Sequence, residues 1–268
     1  MSKLKVIEVS NLISMIDIGA NLTDPKFATD LEAVLNRAKA NNVKAVIVTG
    51  TGIQCSRDAY ELVKKYPDFL YSTAGVHPHD AKSCDANTIP QLEELLTKKG
   101  VVSGGECGLD FDRNYSPPDV QRIWFEQQLL LADKLNKPVF IHERSAFQDT
   151  HQILRQHPNI RAVIHCFTGS QAELEAYLAA GYSIGITGWV CDDKRGQELQ
   201  AIVNRIPLDR LMIETDAPYL KPKAAPGKSR NEPCHLRFVA EKLSQCMNVP
   251  VDALMKATTQ NTQKFFQL

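Results

Sequence analysis

Six side chains that could carry metal or acid–base chemistry stand at or near the ends of short apolar runs. They are Asp17, His77, Glu106, His142, His165 and Asp216. Imidazole nitrogens and carboxylate oxygens bind divalent metal ions and also transfer protons. One such histidine is often only a hydrogen-bonded core residue, but that explanation would have to hold six times at equivalent positions. The pattern therefore predicts one functional cluster assembled from several strands.

Glu106, His142 and His165 form a set of two nitrogens and one carboxylate, which suits a divalent metal with open coordination positions. Asp216 would either ligate the metal or accept a proton from its water. His77 is predicted to contact the substrate or a phosphate. Without a phosphate-binding G-x-x-x-x-G-K-[ST] loop or a G-x-S-x-G nucleophile motif in the sequence, metal-activated water is the favoured reaction type.

Two further ionisable residues near this set are predicted to have other roles. Glu214 lies two residues before Asp216 in "LMIETDAPYL", so both side chains would share a strand face with Glu214 one layer deeper. We interpret Glu214 as a structural acid that pairs with a lysine or arginine. His79 follows Pro78 in "GVHPHD" and is interpreted as an exposed loop residue.

The loops after two of these positions carry charged residues. "LDFDRN" places Asp110, Asp112 and Arg113 after Glu106, where they would form the lip of a pocket. "KPKAAPGKSRNEP" carries four cations after Asp216, and Lys223 and Arg230 are the candidates for binding an anionic substrate. The alternative is that this segment is a solvated, proline-rich loop.

The elements that must position these residues are short runs rich in β-branched residues. They lie at 15–19, 43–50, 69–77, 101–106, 138–142, 161–167, 182–188 and 210–216. Helix-period segments separate them, and one begins with Ser170 and Glu173 at capping-box spacing. Eight strand–helix units predict a (β/α)8 TIM-barrel-like fold, whose active sites lie at the carboxyl ends of the strands. A doubly wound sheet gives similar alternation and remains the alternative.

The composition indicates which partners and which cellular compartment to expect. The 268 residues contain 31 basic and 31 acidic side chains, so no global charge indicates a polyanionic partner. Seven scattered cysteines without a C-x-x-C motif indicate reduced thiols, and no segment has the length and hydropathy of a membrane span. We expect a cytoplasmic protein without a membrane partner, and a monomer. Residues 1–14 are interpreted as an N-terminal extension and residues 15–268 as a single barrel domain.

Several motifs in fixed order resemble the TatD family of metal-dependent deoxyribonucleases. They are "GGECGLDFDR", "PVFIH", "VIHCFTG", "IGITGWVCD" and "IETDAPYL…RNEP", and the resemblance runs from about Met15 to the C-terminus. It implies an amidohydrolase-like barrel that hydrolyses phosphodiester bonds. "IDIGANLTD" and "STAGVHPHD" are similar to TatD proper, which implies Mg2+-dependent 3′-to-5′ exonuclease action on single-stranded DNA and RNA. The resemblance also implies metal ligation by Glu106, His142 and His165, with Asp216 as the acid at the active centre.

The chain departs from the wider family at the first strand. Most members begin with Asp-x-His-x-His, whose histidines bind a second metal, whereas here Asp17 is followed by Gly19 and Asn21. Glycine offers no ligand, and an amide oxygen is a weak donor for a transition metal. We therefore expect one well-held ion, with Asp17, Asn21 and Arg113 as candidates for additional metal binding or for lining the site. Glu143, where the family motif has cysteine, would add negative charge or face away.

The candidate site residues are also compatible with two other functions. The same site could hydrolyse an ester or amide, such as an aminoacyl-tRNA linkage, because a metal and its water attack carbonyl carbon as well as phosphorus. The chain could instead be a non-enzymatic scaffold with a degraded metal site. Mg2+ is the favoured cofactor. Oxygen-weighted ligands favour Mg2+ or Mn2+, whereas two histidine ligands equally suit Zn2+.

Overall fold

The computed structural model describes residues 13–268, so residues 1–12 of the predicted extension lie outside the described range. Eight strands alternate with helices along the chain. The strands are β1 Met15–Ala20, β2 Val43–Val48, β3 Leu70–Ala74, β4 Val101–Asp110, β5 Val139–Arg144, β6 Ala162–Ile164, β7 Ser183–Ile186 and β8 Leu211–Ile213. The helices are α1 Leu31–Ala40, α2 Ile53–Lys65, α3 Thr88–Leu96, α4 Pro118–Lys134, α5 Phe147–Gln156, α6 Gln171–Ala179, α7 Gln197–Ile202, α8 Leu236–Met247 and α9 Val251–Phe266.

The strands form one parallel sheet whose spatial order follows the sequence from β1 to β8. The two ends of the sheet meet, because Ala20 forms a parallel bridge with Ala217 and the Asp216 amide donates to the Gly19 carbonyl at 2.8 Å. Sequential order with the first and last strands adjacent is a barrel and excludes the doubly wound alternative. The predicted fold class is confirmed.

Burial explains why the strand sequences are almost continuously apolar. Every residue of β1, β6, β7 and β8 is buried, since helices cover the outside of the barrel while side chains fill the inside. The capping box at Ser170 and Glu173 begins α6 as predicted. The buried face of helix α4 includes two glutamines beside its apolar residues, namely Gln121, Phe125, Gln128, Leu129, Leu131 and Ala132.

The strand ends differ from the predicted runs where the polar residues lie. Strand β6 ends at Ile164 and β8 ends at Ile213, so His165 and Asp216 stand just beyond regular structure. Strand β4 instead continues to Asp110. None of the helices between residues 13 and 268 is long and apolar enough to cross a membrane.

Candidate metal and catalytic site

The predicted site residues meet in one cavity at the carboxyl ends of the strands. The cavity has a volume of about 660 Å³. Its lining includes seven of the predicted residues, namely Asn21, His77, Glu106, Arg113, His142, His165 and Asp216. Glu106 and His142 lie within β4 and β5, and the other five residues follow β1, β3, β4, β6 and β8. The barrel thus brings together groups as far apart in sequence as Asn21 and Asp216.

Glu106 lies at the centre of the cluster. Its Oε1 atom is 2.9 Å from His142 Nδ1 and 3.4 Å from His77 Nε2. The same oxygen is 3.7 Å from His165 Nε2. A single carboxylate oxygen thus faces three imidazole nitrogens, and the predicted trio of Glu106, His142 and His165 does converge, with His77 as close as His165.

Asp110, predicted at the lip of the pocket, is buried against His142, and His79 joins it, contrary to its interpretation as an exposed loop residue. The fully buried Asp110 places Oδ2 at 3.3 Å from His142 Nε2 and 2.7 Å from His79 Nε2. Its Oδ1 accepts hydrogen bonds from the Asp112 and Arg113 amides. Asp110 therefore fixes the His142 ring from the side opposite Glu106, and His79 is held against it rather than exposed in a loop.

Glu214 pairs with a histidine, so its predicted pairing with a lysine or arginine is wrong. Glu214 Oε2 is 2.6 Å from His165 Nδ1, and Oε1 accepts the Cys166 amide at 2.7 Å. The backbone of Cys166 is left-handed, with φ of 47°, which turns its amide toward the carboxylate. Glu214 thus holds His165 at Nδ1 and leaves Nε2 facing the cavity, the arrangement commonly found behind metal-binding histidines.

Gly19 and Gly185 provide the space that Glu214 occupies inside the barrel. A Cβ atom at Gly19 would lie 2.7 Å from Glu214 Oε2 and 2.9 Å from Phe140 Cζ. A Cβ at Gly185 would lie 2.6 Å from Glu214 Oε1. A side chain larger than glycine at position 19 would therefore collide with Glu214 and Phe140.

Asp216 and Asn21 also line the cavity and contact each other. Asn21 Nδ2 donates to Asp216 Oδ1 at 2.9 Å. Asp216 itself has a left-handed backbone with φ of 52°, a conformation that aspartate tolerates better than most residues. Asn21 consequently orients the Asp216 carboxylate through its amide nitrogen, which leaves its amide oxygen as the only atom that could ligate a metal.

Burial and mutual charge set the protonation of the cluster. Burial raises the pKa of Asp216 to about 7, against the lowering effect of His165. Burial would lower the pKa of His165, but Glu214 and Glu106 raise it to about 10. Burial would likewise raise the pKa of Glu106, yet the surrounding histidines hold it well below its usual range. Glu106 is therefore ionised, whereas Asp216 can exchange a proton near neutral pH.

Asp17 does not line the cavity and is held by the backbone behind it. Its Oδ1 atom accepts the Thr215 amide at 2.9 Å, and Oδ2 accepts the Thr215 hydroxyl at 2.5 Å. The side chain is completely buried, and burial raises its pKa to about 7. These contacts make Asp17 a tie between β1 and the chain after β8, which corrects its prediction as an additional metal or site-lining residue.

The two loop cations predicted to bind substrate lie in different environments. Arg230 donates to both Asp30 oxygens at 2.8 Å and to Glu232 Oε1 at 2.7 Å, so its charge is already matched. Substrate binding by Arg230 stays a prediction, because the network offsets its charge while the side chain still lines a cavity. Lys223 is exposed, with its ammonium 3.8 Å from Asp192 Oδ1, and lines a second cavity beside the first.

The donor set of the cavity fits a divalent metal ion. Two groups have ligand atoms within 4.8 Å of one another, His77 with Glu106 and His142, and His165 with Cys166 and Asp216. Carboxylates with imidazoles suit Mn2+ and Zn2+ and accommodate Mg2+ through their oxygens. The Asp110–His142 and Glu214–His165 pairs supply the outer hydrogen bonds that orient such ligands.

The Glu143 side chain borders the cavity, but its carboxylate oxygens accept hydrogen bonds from other parts of the protein. It lines the space near His142, accepts the Ala146 amide at 2.8 Å and receives the Tyr177 hydroxyl at 3.4 Å. Burial raises its pKa. Its position therefore combines the two outcomes considered from the sequence, because it borders the site while its oxygens are satisfied elsewhere.

Similarity to known proteins covers almost the whole chain. The family model of TatD related DNases matches residues 16–267. A protein of Edwardsiella piscicida named 3′-5′ ssDNA/RNA exonuclease TatD is 45% identical over 261 residues, which cover 95% of this chain and 100% of that protein. A relative of the same name from Yersinia pseudotuberculosis is 43% identical over 259 residues, again 95% of this chain and 100% of the relative.

The chain is also similar to solved structures over almost its whole length. The TatD homologue YJJV of Escherichia coli superposes with a TM-score of 0.88 at 29% identity, covering 95% of this chain and 98% of that one. An uncharacterized amidohydrolase of Saccharomyces cerevisiae superposes with a TM-score of 0.84 at 29% identity, covering 95% and 100%. The predicted family membership is confirmed: the chain belongs to the TatD family of DNases.

Proposed function

We propose that this protein is a metal-dependent nuclease that removes nucleotides from the 3′ end of single-stranded DNA and RNA. The observation that carries the proposal is the convergence of Glu106, His142, His165 and Asp216 in one cavity at the carboxyl end of the barrel. Relatives at 43–45% identity that bear the name 3′-5′ ssDNA/RNA exonuclease support the substrate class and direction.

Glu106, His142 and His165 would hold the divalent ion, and His77 lies close enough to Glu106 to assist them. When bound, the ion would supply Lewis acidity toward a phosphate oxygen and the attacking water. Asp110 and Glu214 would keep His142 and His165 in place from behind. We propose Mg2+ as the physiological ion, with Mn2+ as an active substitute.

Asp216 would order the attacking water and accept its proton. Its pKa of about 7 suits a group that exchanges protons near neutral pH. The hydrogen bond from Asn21 fixes the direction of the carboxylate, so the proton acceptor does not have to reorient during the reaction. His77 would face a phosphate oxygen, and burial lowers its pKa, which keeps the ring neutral and able to donate a hydrogen bond.

Arg113 and Lys223 would attract the phosphate backbone at the rim. Both extend the positive charge around a cavity whose interior is rich in carboxylates. We further propose that the protein is a cytoplasmic monomer. Its seven cysteines are all free thiols, as is usual in a reducing compartment.

Digestion of a 5′-labelled 12-nucleotide single strand tests this function. With Mg2+ or Mn2+ we expect a ladder that shortens from the 3′ end and releases mononucleotide monophosphates, whereas EDTA should abolish it. A matched oligonucleotide with a phosphorothioate at its last 3′ linkage should resist the first cut. Asp216→Asn should reduce kcat by at least 100-fold, the scale of losing general-base help.

The outcomes separate the proposed function from its alternatives. An intact oligonucleotide under every metal would contradict the nuclease. Release of an amino acid from an aminoacylated RNA under the same conditions would indicate the ester hydrolase instead. Asp193→Asn, an exposed acid that lines neither cavity, serves as a control for the loss of one negative charge.

A further inference from the structure

A second cavity adjoins the catalytic one on the same face of the barrel. Its volume is about 550 Å³, and loops after β1, β7 and β8 form its walls. Four residues line both cavities, namely Trp189, Arg195, Tyr219 and Leu220. The two spaces therefore form a continuous groove that leads away from Glu106 and Asp216.

The second cavity concentrates positive charge in a chain whose net charge is zero. Six cations line it, namely Lys26, Arg195, Lys221, Lys223, Lys228 and Arg230. Within the described chain, Asp192 is the one acid of its lining, and its Oδ2 pairs with Arg195 at 3.0 Å. Arg230 is matched by Asp30 and Glu232, so the four lysines supply the excess charge.

Two aromatic rings stand among these cations. Tyr219 is 48% exposed, and its hydroxyl donates to Asp24 Oδ2 at 2.9 Å. The Trp189 indole N–H donates to the Arg195 carbonyl at 3.1 Å. Each ring is thus fixed at its polar edge while part of its surface faces the groove.

Cations also lie over the aromatic rings. The Lys26 ammonium is 4.8 Å from the Tyr219 centroid, and the Arg195 guanidinium carbon is 4.6 Å from the Trp189 centroid. Alternation of flat π surfaces with cations matches a ligand that alternates planar groups with negative charges. Single-stranded nucleic acid is that ligand, because every base can stack on an aromatic ring and every linkage carries a phosphate.

We propose that this groove binds the part of the single strand on the 5′ side of the scissile bond, with bases stacked on Tyr219 and Trp189 and phosphates beside Lys223 and Lys228. The proposal rests on the proposed exonuclease function, which places the 3′ terminus in the catalytic cavity. The remaining strand must leave that cavity, and the shared residues Trp189 and Tyr219 lie on the path. The groove accordingly favours long strands over dinucleotides without reading their sequence.

Comparison of a 12-nucleotide strand with a dinucleotide tests the groove through catalysis. The ratio of kcat/KM for the long strand to that for the dinucleotide should fall about tenfold in Tyr219→Ala, the loss expected for one stacked base. The ratio should also fall in Lys223→Ala, and the slope of log(kcat/KM) for the long strand against log[salt] should flatten by about 0.7. Lys44→Ala removes an exposed lysine at the opposite, amino end of β2 and should keep the wild-type ratio.

Equal losses for both lengths, or an unchanged ratio in Tyr219→Ala and Lys223→Ala, would overturn the groove. Binding of a labelled 12-nucleotide strand in EDTA provides a readout that is independent of catalysis. Fluorescence anisotropy should show weaker binding in both variants than in wild type and Lys44→Ala. A wild-type protein that binds the strand but does not cleave it would contradict the exonuclease function alone. If no protein bound the strand, or if all four bound it equally, the proposal that the groove binds the strand would be wrong.

Discussion

Glu214 shows how a single buried carboxylate can be both a core residue and a support for the site. It is fully buried, and its two oxygens are used by His165 Nδ1 and by the Cys166 amide. A buried charge without partners would cost several kcal/mol, so this pairing is what permits a carboxylate inside the barrel. The same contacts fix which His165 nitrogen faces Glu106.

Replacing Glu214 by glutamine should weaken metal binding while leaving the shape of the side chain unchanged. The amide oxygen can still accept from Cys166, but the negative charge that supports His165 is lost. We expect Mn2+ affinity, measured by calorimetry, to fall about 10- to 100-fold, as is usual for such supporting residues. Glu241→Gln on the exposed surface of α8 is the matched control, and an unchanged affinity in Glu214→Gln would contradict this role.

Metal binding should depend on pH through Asp216 and His165. The raised pKa of Asp216, about 7, means that the metal-free folded protein keeps a proton there that the unfolded chain loses near 4. Ionising Asp216 therefore destabilises the metal-free fold as pH rises toward 7, and metal binding below 7 must displace this proton. His165, with a pKa of about 10, must release a second proton throughout this range.

Calorimetry in buffers of different ionisation enthalpy counts these protons. Near pH 5.5 we expect Mn2+ binding to release about three protons in the wild type, from Asp216, His165 and His142, and about two in Asp216→Asn. His142 is included because, although burial would lower its pKa, Asp110 and Glu106 raise it above the usual range. At pH 8.5 the two proteins should release equal numbers. Equal proton release at the lower pH would show that Asp216 is already ionised or does not meet the metal.

At the scale of elements, the positions of β4 and β8 were predictable from the sequence, but the point at which β4 ends was not. Apolar runs located both strands, and the polar residues at their ends identified Glu106 and Asp216. The continuation of β4 to Asp110 was not predictable from the run, because Gly105 and Gly108 adopt positive φ and the register with β5 shifts between Gly104 and Cys107. An irregular strand of this kind moves Asp110 from the predicted loop into the site.

Gly19 in β1 is predicted to be intolerant of even a methyl group. A Cβ there would meet Glu214 Oε2 and Phe140 Cζ at less than 3.0 Å, and both of these side chains are fully buried. Gly19→Ala should lower the free energy of unfolding by about 1–3 kcal/mol and weaken Mn2+ binding by displacing Glu214. Gly52→Ala, whose Cβ meets nothing within 4 Å, is the control for adding a methyl group.

Denaturant unfolding and calorimetry together decide this prediction. A Gly19→Ala protein with wild-type stability and wild-type metal affinity would show that the barrel interior adapts around Glu214. A protein that loses stability but keeps its affinity would separate packing at Gly19 from the orientation of His165.

At the scale of the whole molecule, the barrel was predictable and its long-range pairs were not. The order of eight strand–helix units indicated the fold, and equivalent strand-end positions indicated the site. The partners of Glu214 and Arg230 depend on side-chain directions and on residues 49 and 200 positions away, respectively. Sequence spacing gives a residue's place on a strand or loop, but it does not show which of several nearby charges its side chain reaches.

Asp30 and Arg230 tie the first helix to the segment before α8, so they should contribute to the stability of the closed barrel. Arg230 lowers the pKa of Asp30 to about 2, so the stabilisation is complete above the unfolded pKa near 4 and is lost as pH falls toward 2. Because Asp30 is about one-third exposed, solvent screening limits its contribution, and Asp30→Asn should cost on the order of 1 kcal/mol at pH 6.

Urea unfolding at pH 6 and at pH 2.5 measures this difference between Asp30→Asn and the wild type. We expect the difference to shrink markedly at the lower pH. A difference that is equal at both values would assign the effect to packing instead of charge. Asp80→Asn, in the short 3-10 helix Pro78–Ser83 outside this network, is a control for removing one aspartate.

The most direct test of the central claim combines metal binding and 3′ trimming in one variant at Glu106, the carboxylate that faces His77, His142 and His165. Glu106→Gln keeps the size of the side chain and removes its charge. Mn2+ titration and digestion of a 5′-labelled single strand would be measured on the same wild-type and variant preparations, with thermal melting to verify the fold. Our account predicts a folded variant that loses both tight Mn2+ binding and the 3′-shortening ladder. A folded Glu106→Gln protein that binds Mn2+ and trims the strand as the wild type does would contradict it.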